Sequence, residues 1–311
     1  MRSCFIVNPN AGGGRGLRLW NKARSYMNKR GMEYEIYFTD EKGDARRMAY
    51  EITDSDSDLP TVIFVIGADS TLSDTLNGLK HPDRIELVYI PVNVKYGFSR
   101  SLRLRSDPRA VIKGCLSVNG NRIDTVDYGV LTGENGELTR RFINTAGIGF
   151  DAELCHGIKN SYSDKMSSPT GMRGSLIVYR ELLKALVCTK PVKGYILLDD
   201  SHRIEFNNLM FVSAHIHPYE YKFKLGSYAD PKDGMLEICA ISCRSRIKLF
   251  ELIIRSRLGK LKNSAKVRLL QCEEAHIHFD RPCAVHSDGD SLGTFSDIDL
   301  RCVTRQLHII R

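Results

Sequence analysis

The chain has 311 residues, and 45 Lys+Arg against 37 Asp+Glu give a formal net charge of +8, with 42% apolar, 26% charged and 8% aromatic residues. That composition excludes a disordered chain, a collagen-like fibre and a disulfide mini-protein, and the length suggests about two domains, each able to bury its own core. No run approaches the ~18 apolar residues of a membrane-spanning helix.

The four apolar residues Cys4–Val7 stop at Asn8-Pro9 and are too short for the ~7–15-residue core of a secretory signal, so a cytoplasmic protein is expected. Strand-like runs at Cys4–Val7, Tyr34–Phe38, Val62–Ile66 and Leu87–Val92 alternate with helical stretches around Leu17–Lys29, Asp44–Thr53 and Leu72–Leu79. Such alternation predicts an α/β domain with a mostly parallel sheet over residues 1–120. Beyond a boundary near Gly120 the pattern shortens, with alternating runs at Arg122–Leu131, Arg140–Asn144, Gly194–Leu198, Asn208–Ser213, Met235–Ile241, Val267–Cys272, Ala275–Phe279 and Ile298–Val303. These predict an antiparallel β domain over 121–311, the last strands being free to return to the first domain. Helices near Ser175–Val187 and Ser245–Leu258 interrupt it, and Ser161–Gly174 reads as a mobile loop.

Residues 244–268 hold nine basic residues against one acid, Glu251, so they carry the net charge of the chain. Ile247, Phe250, Ile254, Leu258 and Leu261 recur there at steps of three or four. Either this stripe packs into the core beneath a basic surface, or it docks on anionic lipid or phosphate. Nine cysteines without a C-x-x-C pair read as reduced, mostly buried thiols. His215-x-His217 and His276-x-His278 each put two imidazoles on one strand face, a weak metal signal without a third ligand.

The first strand ends in Asn8-Pro9-Asn10-Ala11-Gly12-Gly13-Gly14-Arg15-Gly16 and opens a helix. Glycines at such a turn let backbone amides approach phosphate oxygens, and the same pattern also makes a plain tight turn. It is neither a Walker A loop nor G-x-G-x-x-G, because no Gly-Lys-Ser/Thr follows and Leu17 stands where the last glycine would. After the third strand comes Gly67-Ala68-Asp69-Ser70-Thr71, with a carboxylate at the strand end where open α/β sheets bind ligands.

With Asn77-Gly78-Leu79, these loops resemble the catalytic domain of the diacylglycerol kinase-like lipid kinases, relatives of sphingosine kinases and more distantly of NAD kinases. Phe142-Ile143-Asn144-Thr145-Ala146-Gly147-Ile148-Gly149-Phe150-Asp151-Ala152 is similar to the family's Asn-x-x-Gly-x-Gly-Phe-Asp-Ala stretch. Asp233-Gly234-Met235-Leu236 and Asp288-Gly289-Asp290 look like its Asp-Gly-x-Leu and Asp-Gly-Glu segments. The resemblance implies an α/β domain plus a β-sandwich domain, with nucleotide between them, and ATP-dependent phosphorylation of a lipid hydroxyl such as that of diacylglycerol. ATP and Mg²⁺ are the cofactors so implied. Asn8, Pro9, Gly12, Gly13, Gly14, Gly67, Asp69, Ser70 and Thr71 would line the nucleotide, with Asp69 toward the metal. Asp290 inherits the role of base, beside Asp288 and Asp69, and Asp233 aligns with an acid that supports a structural Mg²⁺.

The chain departs from the family at Ala68 and Ser70, where two glycines are lost, and at Val94, Tyr96 and Gly97, which stand for Thr, Asn and Asp. Asp290 replaces Glu. Added side chains crowd a triphosphate and deny the backbone φ > 0, so weakened transfer is expected. The alternative reading is a non-catalytic binding or regulatory relative. Expected partners are a lipid substrate and, peripherally, an anionic membrane surface, with a homodimer left open. No nucleic-acid recognition motif accompanies the basic residues.

Overall fold

The computed structural model describes residues 2–54, 60–95, 97–116, 123–133, 136–161 and 171–310. Tyr96, the boundary at Gly120 and the core of the expected loop, residues 162–170, lie outside the described residues. Two compact units form, one containing Met1–Val126 and Arg305–Arg311, the other Asp127–Ser161 and Gly171–Thr304.

In the first unit β1 (Arg2–Val7), α1 (Ala11–Asn28), β2 (Glu35–Phe38), α2 (Asp44–Asp54), β3 (Thr61–Gly67), α3 (Asp69–Gly78), β4 (Glu86–Pro91), α4 (Gly97–Ser101) and α5 (Pro108–Leu116) follow one another. The strands run parallel in the order β2-β1-β3-β4, and the far end of the chain's last strand adds in parallel beside β4, pairing His308 with Glu86. Strands flanked by helices are buried on both faces, which is why they read as unbroken Val, Ile and Phe rather than as alternation. Phe5 stacks on Phe64 with ring centroids 4.3 Å apart, and Trp20 of α1 tilts against Phe5 at 5.4 Å. Ala23, Met27, Ile112 and Cys115 close that layer. Gly78 has no room for a side chain, because a Cβ there would collide with the Arg46 carbonyl of α2.

The second unit holds β5 (Ile123–Gly133) from Asp127 onward, β6 (Thr139–Phe142), β7 (Thr145–Gly149), α6 (Phe150–Asn160), α7 (Gly171–Cys188), β8 (Val192–Leu198), β9 (His202–His215), β10 (Tyr219–Glu220), β11 (Phe223–Lys224), β12 (Leu236–Ser242), α8 (Arg246–Arg257), β13 (Val267–Cys272), β14 (Glu274–Ser287) and β15 (Asp290–Ile310) as far as Thr304. Its pairings are antiparallel: β9 and β14 each lie beside β8 along one part and β7 along another, and β12 joins β9 to β13. Long strands serving both faces make the β-sandwich, with Phe142, Ile148, Ile196, Val212, Ile238, Ile277 and Val285 inside it. The helix α6 and the strand β7 occupy the conspicuous glycine-rich motif, where periodicity alone shows neither.

Candidate functional site

In the first unit, Gly12, Gly13 and Gly14 take φ of +61°, +66° and +80°. Three successive left-handed residues are open to glycine alone at little cost, and they bend the chain within the first turn of α1, just after β1. The Asn8 side chain pins this bend: its Oδ1 accepts the amides of Asn10 and Ala11 at 3.1 and 3.0 Å, and its Nδ2 donates to Thr71 Oγ1 at 3.4 Å. Thr71 stands so close to Gly67 that a Cβ at 67 would lie 2.5 Å from Thr71 Oγ1. Asn8, Gly67 and Thr71 therefore knit the two loops together. Among the described residues nothing lies within 4 Å of where a Gly13 side chain would begin, whereas one at Gly12 would meet Val92 at 3.3 Å.

Asp69 opens α3, and its carboxylate accepts the Tyr89 hydroxyl at 3.0 Å, the Phe98 amide at 3.1 Å and the Ser99 hydroxyl at 3.2 Å. A carboxylate offers about four lone-pair positions, so three are committed, one to Tyr89 of β4 and two to the start of α4. Burial and the Asp69 charge together push the Tyr89 hydroxyl far above its ordinary pKa and keep it a donor. The expected φ > 0 requirement at the lost glycines is corrected here. Ala68 is extended at φ −88° and Ser70 lies in the first turn of α3, so neither needs glycine.

In the second unit, Ser287 pairs with Asp290, which makes Asp288-Gly289 a two-residue hairpin turn with φ of +47° and +83°. Asp-Gly is the sequence such a turn demands. The Asp288 carboxylate accepts three amides in a row, Ile143 at 2.8 Å and Asn144 and Thr145 at 2.9 Å, while its own amide donates to the Thr145 carbonyl at 2.8 Å. Asp288 thus clamps the hairpin tip to the start of β7. Asp290 begins β15 with its carboxylate 3.6 Å from the Arg140 guanidinium. It keeps 17% of its side-chain surface exposed.

Asp233 accepts the Met235 amide at 2.9 Å in a turn where Asp127 accepts the Gly234 amide at 2.8 Å. Burial, then the charges of Asp230 and Asp127, raise the Asp233 pKa. A cation would relieve that repulsion, so the residues fit the expected ion in charge and in donor type. Elsewhere among the described residues four ligand atoms converge, those of Asp151, Cys155, Glu220 and His286, all within 4.8 Å. His215 and His217 are buried and pushed down to about 4 and about 3 by desolvation, which keeps them neutral. His276 and His278 instead meet Asp299 and Asp297 at 2.8 and 2.7 Å on the sheet surface. The nine cysteines are free thiols, six of them buried.

The helix α8 corrects the core-packing expectation. Leu249, Leu252, Ile253 and Ser256 face inward, and the stripe Ile247, Phe250, Ile254 and Leu258 faces outward, Ile247 being 84% exposed. Leu261, beyond the helix, is buried. The neighbouring α7 shows a second outward stripe, Leu176, Tyr179, Leu183 and Val187, that the sequence reading missed. Arg246 ties the two helices by donating to the Leu186 carbonyl and, at 2.7 Å, to that of Thr189. Among the described residues, no helix is long and apolar enough to cross a membrane.

An α/β unit with a glycine-bend loop and a β-sandwich unit carrying an Asp-Gly-Asp hairpin are the parts of a lipid-kinase scaffold. The family described as "Diacylglycerol kinase catalytic domain" matches residues 2–129, and that described as "YegS C-terminal NAD kinase beta sandwich-like domain" matches residues 153–311. The chain belongs to the diacylglycerol kinase family of lipid kinases. It is 26% identical over 300 residues to the Bacillus subtilis protein named "Putative lipid kinase YtlR", covering 93% of each chain. It is 23% identical over 303 residues to a diacylglycerol kinase of Mycobacterium tuberculosis, covering 96% of this chain and 88% of that one. A crystal structure of a diacylglycerol kinase from Bacillus anthracis superposes with a TM-score of 0.70 at 20% identity, covering 99% of this chain and 96% of the other.

Proposed function

We propose that the chain transfers the terminal phosphoryl group of ATP to the hydroxyl of a membrane lipid such as diacylglycerol. The observation that carries this reading is Asp290, placed by the Asp288-Gly289 hairpin, paired with Arg140 and partly exposed, on a scaffold of the lipid-kinase family. Phosphoryl transfer asks a protein chiefly for positioning and for one group that takes the attacking hydroxyl's proton. Asp290 takes that proton. The bend Gly12–Gly14, with Asn8, Pro9, Gly67, Ser70 and Thr71 around it, offers amides and hydroxyls to the phosphates, and Asp69 orders the segment after β4. Mg²⁺ bound with ATP supplies charge neutralisation, and a second, structural ion suits Asp233 with Asp127 and Asp230. The commitment of Asp69 to three donors and the apolar Val94 favour slow transfer; carried further, they favour a non-catalytic relative that binds lipid.

The test is transfer of labelled phosphate from ATP to diacylglycerol in mixed micelles with Mg²⁺. Time-dependent formation of phosphatidic acid supports the enzyme. No product from any of several lipid alcohols, together with no ATP binding, supports the non-catalytic relative.

A ligand that binds only the native state raises the melting temperature, by about 2.7 kcal/mol of stability at a hundredfold excess over Kd. Mg-ATP is therefore expected to stabilise the wild-type protein. Gly12→Val is a poor probe of the bend because of Val92; Gly13→Ala, with open space around it, is the cleaner one. A side chain at φ +66° costs about 1–2 kcal/mol by itself and should remove most of the Mg-ATP shift. An undiminished shift in Gly13→Ala would mean that the bend does not hold nucleotide.

We further propose that α7 and α8 seat the protein on anionic membranes. Two apolar stripes beside Lys248, Arg255 and Arg257 fit a surface that is greasy within and negative outside. Replacing Ile247 and Leu183 together by Asp is expected to lower sedimentation with anionic vesicles at least tenfold, since each apolar side chain buried in lipid contributes about 1.5–3 kcal/mol. Equal binding to neutral and anionic vesicles at low ionic strength contradicts the electrostatic part.

A further inference from the structure

Behind the Asp288-Gly289 turn lies a group of buried titratable side chains that the proposed chemistry does not use. His286, at the end of β14, has no exposed surface. Its Nε2 lies 3.0 Å from Asp151 Oδ2 on α6 and 3.4 Å from Glu220 Oε1 on β10. Its Nδ1 accepts the amide N–H of Gly289 at 3.1 Å. Burial lowers the His286 pKa, but Asp151 and then Glu220 outweigh it and raise it to about 9; a second ring proton would nevertheless sit on Nδ1, facing the Gly289 N–H, so the contact holds the ring at one proton, on Nε2, pointing at the two carboxyl groups.

With Cys155 these side chains bring four ligand atoms within 4.8 Å, the spacing of a metal site. The Gly289 amide argues against an ion. A metal needs the Nε2 lone pair, which moves the ring proton to Nδ1, and two N–H groups would then confront each other across 3.1 Å.

The glycine-rich motif is shaped around this group. A Cβ at Gly147 would collide with both His286 Nε2 and Asp151 Oδ2, so only glycine lets them meet. Asn144 donates from Nδ2 to the Tyr219 carbonyl at 2.8 Å and so holds the short strand that delivers Glu220. Burial, and then the Asp151 charge, push Glu220 up to about 8, so it carries a proton at neutral pH and hydrogen-bonds Asp151. Among the described residues its buried Oε2 has no partner, which a neutral carboxyl tolerates better than a charged one. Burial opposes the charge on Asp151, yet the N–H that His286 Nε2 points at it and the hydrogen bond from Glu220 outweigh burial and keep that acid ionised. Around them stand His215 of β9, Cys239 of β12, Cys155 of α6 and Asp288 of the turn.

We infer that Asp151 is a positioning residue for the Asp290 turn: accepting from both His286 Nε2 and Glu220, it fixes the His286 tautomer whose Nδ1 holds the Gly289 amide between Asp288 and Asp290. The consequence for catalysis rests on the reading of Asp290 as the proton acceptor. The tautomer and the Gly289 contact do not.

Two isosteric amides separate this role from mere packing. In Glu220→Gln the new NH₂ donates to Asp151 as the protonated acid does, so transfer is expected to stay near wild type. In Asp151→Asn one acceptor is lost and an NH₂ faces Nε2, which drives the ring proton to Nδ1 and breaks the Gly289 contact. The rate kcat should then fall about tenfold or more with little change in KM for ATP or lipid, while circular dichroism stays native. Nitrogen NMR of the His286 ring, with the Gly289 amide as reporter, gives an arm independent of activity. Wild type and Glu220→Gln should show the proton on Nε2, and Asp151→Asn should not. A wild-type ring protonated on Nδ1, or equal tolerance of both amides, overturns the inference. If the wild type transfers no phosphate, the kinase reading fails, and the ring spectra alone decide the tautomer.

Discussion

Asp290→Asn is expected to lower phosphate transfer to diacylglycerol by a factor of about 10²–10⁴, the range for loss of a general base. The amide keeps the size of the side chain and its place at the start of β15 but accepts no proton, so binding of ATP should persist while turnover fails. Asp290→Glu tests the direction of reach. Its carboxylate extends one methylene further, as in the family's Asp-Gly-Glu, and Arg140, 3.6 Å from the present carboxylate, can follow it. Transfer by this variant should equal or exceed that of the wild type. The assay is initial rate in mixed micelles with Mg²⁺, alongside Asp288→Asn. Unchanged rates in both amide variants would remove these acids from the chemistry.

Asp288→Ala is expected to destabilise the protein by at least about 3 kcal/mol. Three amides, of Ile143, Asn144 and Thr145, lose one shared acceptor in a buried segment, and each unsatisfied buried group costs about 1–3 kcal/mol. An alanine at φ +47° adds strain of about 1–2 kcal/mol. Asp288→Gly divides the two causes, because glycine accepts that φ without strain but supplies no acceptor. Urea midpoints should rank wild type above Asp288→Gly, and that above Asp288→Ala. If the glycine variant matches the wild type, the carboxylate is idle and the turn alone matters.

The parallel strands of the first unit were legible because β1, β3 and β4 are unbroken apolar runs with turn residues at their ends. The orientation of α8 was not. Leu249, Leu252, Ile253 and Ser256 form one face, and Ile247, Phe250, Ile254 and Leu258 form another with the same spacing. A helix apolar on two sides gives no sign, from period alone, of which side turns inward. The chain order of the site landmarks was readable, and so was the Asp-Gly of the hairpin as a turn. The amides that Asp288 accepts, at 143–145, and the Asp151 carboxylate that His286 meets lie more than a hundred residues away in sequence, so no local pattern joins them. Asp69 was visible as a strand-end carboxylate, but its engagement with Tyr89, Phe98 and Ser99 depends on how the segment after β4 folds back.

The strand β15 starts at Asp290 in the sandwich and ends beside β4, pairing Ile309 with Leu87. During synthesis this sets an order of events. A ribosome has made β1 to β4 with their helices long before residues 305–310 exist. At about 5–20 residues per second, the flank of β4 waits on the order of ten to forty seconds for its neighbour. Through that interval it presents unpaired amides and carbonyls beside an apolar sheet, the kind of edge that pairs with other nascent chains. Shortening the chain before Arg305 would make that temporary state permanent. The first unit, all but one strand of its sheet made early, is complete as a sheet only when residues 305–310 arrive.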